Sequence, residues 1–195
     1  MNLSTAIHYA GHLLTWIQPY VDRAEVAGSI RRQRPACNDV DIVCIPKIKE
    51  EQDLFGEVVS HKNLLHEFLR QHVAKTNTFF LAGGDTPGKQ VILQLPKCQL
   101  DLWFATPEAF ATRLMCRTGS RDHNIWLASR AKARGWKWNP YEGLIAGGEW
   151  SGDQYVGGQI IARYETEDAI FRALNLPFIA PEHRELPWLI ENFGA

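Results

Sequence analysis

Over residues 3–20 apolar side chains recur at Ile7, Ala10, Leu13, Leu14 and Ile17, the spacing of an amphipathic helix, with Ser4 or Thr5 placed to cap it and Pro19 near its end. Residues 25–28 predict a short strand that closes in a Gly-Ser turn, and residues 39–45 a second strand bounded by Pro46. Helical spacing returns over 61–73. Three strand-like runs follow at 78–82, 90–95 and 99–105, joined by Gly- and Pro-bearing turns. Helices are predicted again at 107–115, which carries Pro and Glu in its first turn, and at 121–133. Residues 135–158 mix Trp, Tyr and Gly in the manner of hairpins, and 167–174 form one more short helix ahead of a Pro-rich end. No internal repeat or low-complexity segment interrupts this order.

Composition narrows the class. The chain has 195 residues, of which 45% are hydrophobic and 22% charged, enough to build one domain or two small ones and unlike a disordered segment. A formal net charge of -1 gives no global attraction to polyanions, so any such site must come from local clustering. Between 117 and 137 the bases Arg117, Arg121, Arg130, Lys132, Arg134 and Lys137 meet only the acid Asp122, whereas acids dominate from 163 onward. Cys37, Cys44, Cys98 and Cys116 show neither CxxC pairing nor a partnered His spacing, which points to a reducing, cytoplasmic setting rather than zinc or disulfides. The first residues lack the basic flank of a signal peptide, and no apolar run approaches a membrane span.

The candidate chemistry sits in residues 28–46, GSIRRQRPACNDVDIVCIP. In a strand, residues two apart share a face, so Asp39 and Asp41 project together while Val40 and Ile42 turn to a core. Two adjacent carboxylates repel unless a cation lies between them, and oxygen ligands suit Mg²⁺, with Mn²⁺ as a substitute. Asp101, in the alternating run QLDLWF, is a third acid of the same kind. If its strand lies beside the first, three carboxylates converge as needed to hold two metals about 3.5–4 Å apart for phosphoryl chemistry. The turn before them fits a phosphate: Gly28 allows close backbone approach, Ser29 offers N–H and O–H donors, and Arg31 or Arg32 a guanidinium fork.

GSIRR followed by DVD, then DLWF, then RTGS with Asn124 four residues past its Ser, resembles the X family of DNA polymerases. The tail ETEDAIFRALNLPFIAPEHRE is similar to that family's closing segment. The resemblance implies an α+β fold: a nucleotidyltransferase (polymerase beta-like) palm over 1–106, with a mixed sheet flanked by helices, and a small C-terminal α+β domain over 107–195 that selects the nucleotide and contacts DNA. It implies that Asp39, Asp41 and Asp101 are metal ligands for two Mg²⁺, with Asp101 also the base for the primer 3′-hydroxyl. Gly28, Ser29 and Arg32 would hold the β- and γ-phosphates, with Arg31 alongside or structural. Thr118, Gly119 and Ser120 would form the turn beside the incoming sugar, flanked by Cys116 and Arg117, and Asn124 would reach the minor-groove edge of the incoming base. The implied activity is DNA-directed DNA synthesis of the gap-filling or repair kind, on primer-template or gapped DNA with dNTP as substrate, by an intracellular monomer.

Departures from the family pattern carry their own expectations. A first strand near residue 24 leaves no room for the lyase and helix-hairpin-helix regions, so lyase activity is not expected, and a bare core is compatible with a viral or mobile-element source. Cys116 and Arg117 stand where relatives that reject ribose carry aromatic residues, which predicts a weakened steric gate and some use of rNTP. Arg121 replaces an acid and Gln99 an arginine, so base-pair checking is expected to differ. Arg121, Arg130, Arg134 and Lys137 are candidates for DNA phosphates, Arg130 and Arg134 sharing a helix face, while Trp126 falls on the packed face. GGDTPGKQ (83–90) lacks the terminal Ser/Thr and following helix of a P-loop and predicts a hairpin turn, and the histidines of HEFLRQH are spaced unlike a zinc site. Residues 34–38 suggest no role. Two alternatives remain open: a nucleotidyltransferase of the wider superfamily acting on RNA, protein or a small molecule, and a non-catalytic DNA-binding module.

Overall fold

Helix α1 (Leu3–Ile17) is capped by Asn2, whose side chain accepts from the Thr5 N–H at 2.9 Å; Ser4 and Thr5, the expected caps, already lie inside the helix. Its apolar stripe, Ala6, Ala10, Leu13 and Ile17, is buried. Pro19 falls in a short 3-10 turn, Gln18–Tyr20, after which the chain becomes strand β1 (Val21–Val26), earlier than the run at 25–28 suggested. Gly28 instead opens a single helical turn, α2 (Gly28–Arg31). The computed structural model describes residues 1–76, 78–83, 88–161 and 164–194, so residues 84–87 of the predicted turn at 83–90 lie outside the described residues.

Two units divide the chain: Met1–Ile30 with Pro35–Ala105, and Arg31–Arg34 with Thr106–Ala195. The first unit continues with β2 (Asp39–Pro46), a ribbon of β3 (Ile48–Gln52) and β4 (Val58–Asn63), helix α3 (Leu64–Val73), and strands β5 (Phe79–Ala82), β6 (Gln90–Gln94) and β7 (Gln99–Phe104). Five of these strands form one mixed sheet in the order β1-β2-β7-β6-β5; β2 and β7 run parallel and the other pairs antiparallel. The sheet's alternation is used on one side for the core, where Val40, Ile42, Leu100 and Leu102 pack with the stripe of α1 and with Leu65 and Leu69 of α3. The expected helix at 61–73 starts only at Leu64, because 61–63 belong to β4 and Asn63 caps the helix by accepting from the His66 N–H.

Residues 35–37, without a role in the sequence pattern, are pinned to the start of the chain. The Met1 amino group donates to the Cys37 carbonyl at 2.6 Å, the Cys37 N–H returns a bond to the Met1 carbonyl, and the Leu3 N–H donates to Pro35. Asp39 begins β2 two residues after this clasp. All four cysteines are free, and burial pushes the Cys44 thiol up to about 12, so it is an inert packing group.

The second unit comprises α4 (Phe110–Thr118), α5 (Arg121–Lys132), an antiparallel sheet of β8 (Lys137–Asn139), β9 (Gly143–Ser151) and β10 (Gln154–Ile160) in the order β10-β9-β8, then α6 (Glu167–Ala173) and α7 (Leu186–Phe193). Its core gathers Met115, Trp126, Leu127, Leu144, Ile170, Phe171 and Leu189, so Trp126 is a packing residue as its spacing predicted. The Pro-rich end holds helix α7, with Pro in its first turn, where the absent N–H costs nothing. Among the described residues no helix is long and apolar enough to cross a membrane.

Candidate active site

On the side of the large sheet opposite the α1 stripe, β2 and β7 carry Asp39, Asp41 and Asp101. The parallel register sets Asp39 opposite Gln99, Asp41 opposite Asp101 and Val43 opposite Trp103. Residues directly opposite in a parallel pair share a face, so all three carboxylates stand on one surface, with Asp41 and Asp101 as immediate neighbours. Asp101 is buried, and Asp39 and Asp41 are half-buried. Gln99 Nε2 donates to Asp101 Oδ1 at 2.7 Å, and the Trp103 indole Nε1 donates to Asp41 Oδ1 at 2.9 Å. Among the described residues, however, no three His, Cys, Asp or Glu side chains are gathered closely enough to form a ligand set as they stand.

The Gly-Ser turn lies against this face. Gly28 has φ +58°, a left-handed conformation, and a Cβ on it would fall 2.0 Å from Asp41 Oδ2. Only glycine satisfies both constraints. Beside it the Ser29 Oγ is buried with no hydrogen-bond partner among the described residues. A buried hydroxyl without a partner is costly unless a ligand completes it, and Ser29 follows directly on the glycine that abuts Asp41. The oxygen-only donor set, the glycine cradle and the orphaned hydroxyl therefore fit Mg²⁺ with a phosphate in chemical type.

In the second unit the other candidate residues gather around the turn 118–120. Arg31 donates to both oxygens of Glu167, at 2.9 and 2.7 Å, and to Thr118 Oγ1 at 2.7 Å. Arg32 donates through Nε to Glu185 at 2.8 Å and through Nη1 to the Thr118 carbonyl. Ser120 caps α5 by accepting from the His123 N–H at 3.1 Å, the role its position at a helix start predicts. Asn124 donates to the Cys116 carbonyl at 2.8 Å, across the bend between α4 and α5, and a Cβ on Gly119 would come 2.6 Å from the Asn124 amide. Cys116 and Arg117 are half-buried in the last turn of α4.

Glu167 was not among the candidates, because the stretch ETED has the look of a solvated helix start. It is 7% exposed and also accepts from Arg184 Nη1 at 2.8 Å; Arg184 is itself fully buried and donates through Nε to the Ile179 carbonyl. Burial alone would raise the Glu167 pKa, but the Arg31 hydrogen bonds and the Arg184 charge outweigh it and hold the carboxyl below its ordinary value. His123, fully buried beside Trp126 and Phe171, is pushed down to about 3 by burial, with Arg184 adding to the effect, and so stays neutral.

The four candidate DNA contacts do not form one face. Helix α5 ends at Lys132, so Arg134 lies beyond it and does not share a helical face with Arg130; Gly135, at φ +73°, turns the chain there. Arg130 donates to the carbonyl of Phe193, the last residue of α7, and Arg134 to that of Leu174, the C-cap of α6. Both guanidiniums complete helix C-termini, where carbonyls lack intrahelical partners. Lys137 is half-buried in β8, and Arg121 is exposed in the first turn of α5.

Comparison with known proteins bears on both units. Residues 113–185 match the family described as DNA polymerase beta thumb, which spans α4 through the 3-10 turn after α6. Over 169 residues, 86% of its length, the chain is 27% identical to the DNA polymerase/3'-5' exonuclease PolX of Bacillus subtilis (strain 168). It spans about a quarter of that relative's length, 25%. The first unit thus has a mixed sheet flanked by helices, and the second contains a segment similar to the polymerase beta thumb.

Proposed function

We propose that the chain extends the 3′ end of a DNA primer with dNTP under the direction of a template, on primer-template or gapped DNA. The observation that carries this reading is the carboxylate face: Asp41 opposite Asp101, Asp39 one step along β2, Gly28 against Asp41 and the orphaned Ser29 hydroxyl beside it. Asp39, Asp41 and Asp101 would hold two Mg²⁺ or Mn²⁺, which supply Lewis-acid activation of the attacking hydroxyl and charge neutralisation at the leaving pyrophosphate. The chain's own residues do the rest. Asp101, buried and hydrogen-bonded by Gln99, would accept the primer hydroxyl proton. Ser29 and the backbone around Gly28 receive phosphate oxygens. The turn Thr118–Gly119–Ser120 and the Asn124 amide are assigned to the sugar and base of the incoming nucleotide. Arg32 is assigned to its phosphates, which requires it to share or leave Glu185, whereas Arg31, bound to Glu167 on both oxygens, is assigned to structure.

The proposal includes acceptance of rNTP, because Cys116 and Arg117 stand where an aromatic gate would be. Primer extension on gapped and on open templates, with each of the four dNTPs and rNTPs supplied singly in Mg²⁺ or Mn²⁺, tests the reading. Insertion that follows the templating base supports it; extension indifferent to the template, or none, contradicts it.

A further inference from the structure

Strand β7 places two side chains on the carboxylate face besides Asp101, one on each side of it: Gln99 two residues before and Trp103 two residues after. Each donates one hydrogen bond to a carboxylate. Gln99 Nε2 reaches Asp101 Oδ1 along its own strand at 2.7 Å, and Trp103 Nε1 reaches diagonally across to Asp41 Oδ1 at 2.9 Å. The two acids that face each other in register are therefore each held at one oxygen by a donor from the same strand. Trp103 is 9% exposed and paired opposite Val43, so its ring is fixed by packing and cannot swing away at low cost.

We infer that Gln99 and Trp103 are positioning residues for the carboxylates, orienting Asp101 and Asp41 toward divalent cations; the inference rests on the two-metal reading above. The chemistry of the donors supports it. A carboxylate oxygen that accepts one N–H keeps a second lone pair, so each bond fixes the group's rotation without removing it as a ligand. Both donors are neutral, so neither brings a positive charge that would compete with a cation, as a guanidinium at either place would. Carboxylate ligands are ordinarily oriented by hydrogen bonds of this kind, and loss of such a partner typically costs about 10–100-fold in metal affinity. The pattern Q-x-D-x-W delivers a ligand and both orienting donors from five consecutive residues, because i−2, i and i+2 share a face.

The test is Mn²⁺ binding to the whole chain without nucleotide or DNA, followed by electron paramagnetic resonance, for wild type, Trp103→Phe, Gln99→Leu and Asp41→Asn. Phe keeps the ring and removes only the N–H. Binding weakened about tenfold or more in Trp103→Phe and in Gln99→Leu, with melting temperatures near wild type, supports the inference. Affinities equal to or tighter than wild type in both variants overturn it. A wild type that binds Mn²⁺ no better than Asp41→Asn overturns the two-metal reading and the inference with it. An ¹⁵N-labelled indole spectrum separates the two failures: the Trp103 N–H resonance, identified by its loss in Trp103→Phe, should shift on Asp41→Asn. If it does not move, the indole contact itself is refuted even where metal binds.

Discussion

Gly28 is the residue on which the site geometry most depends. A side chain there meets the Asp41 carboxylate and must also adopt φ +58°. Gly28→Ala should cost roughly 1–2 kcal/mol for the left-handed backbone alone. It should also abolish most primer extension, because Asp41 must move; urea denaturation beside an extension assay reads both, and wild-type activity would refute the packing argument. Cys116 tests the sugar gate. Comparing dCTP with CTP insertion, the wild type should discriminate weakly and Cys116→Tyr more strongly, and a ratio unchanged by the ring would remove Cys116 from the gate. His123 makes a prediction about acid. Its folded pKa of about 3 lies below the ordinary 6.5, so the stability tied to keeping it neutral is fully present above pH 6.5 and is lost as pH falls toward 3. Between pH 7 and pH 5 this amounts to about 2 kcal/mol. His123→Leu should lose correspondingly less stability over that interval in denaturant melts.

At the scale of elements, the network Arg31–Glu167–Arg184 ties Arg31, the last residue of α2, to α6 and to the end of the 3-10 turn that follows it. Glu167→Gln leaves two guanidiniums without their carboxylate in a buried setting, for an expected cost of roughly 3–5 kcal/mol. Because the folded pKa of Glu167 is depressed, its contribution is present above pH 4.5 and lost as pH falls through the lower folded value. Glu167→Gln should therefore flatten the acid limb of the stability profile; an unchanged profile would show that the network is not balanced as described. The elements themselves were largely legible. Alternation in DVDIVCIP and QLDLWF announced β2 and β7 and the shared face of each strand's acids. That Asp41 stands opposite Asp101 was not legible, since sixty residues separate them and register is set by tertiary pairing. The ribbon of β3 and β4 escaped because neither of its faces joins the core: Ile48 is 52% and Val59 63% exposed, so no apolar period marks it. Arg130 and Arg134 look alike in sequence as a basic face, and only the ends of α6 and α7 reveal that their charges are spent on carbonyls.

For the molecule as a whole, a net charge of -1 means that the proposed DNA binding would have to rest on a few local bases and fall steeply with salt. Arg121, exposed and outside the helix-capping bonds, should account for about one phosphate contact. Arg121→Ala should reduce the slope of log affinity against log salt by about 1 without changing stability. Arg134→Ala, by contrast, should lower the melting temperature. The two units carry the two halves of the account: the first presents three carboxylates and a glycine cradle on one sheet face, and the second is the matched thumb segment with its TGS turn. The central claim is that this carboxylate face performs the chemistry. The direct measurement is single-nucleotide insertion on gapped DNA by wild type and Asp101→Asn, with DNA affinity measured on the same preparations. The account predicts template-matched insertion by the wild type, its loss by several orders of magnitude in Asp101→Asn, and unchanged DNA binding in both. Insertion by Asp101→Asn at a rate close to wild type would contradict it.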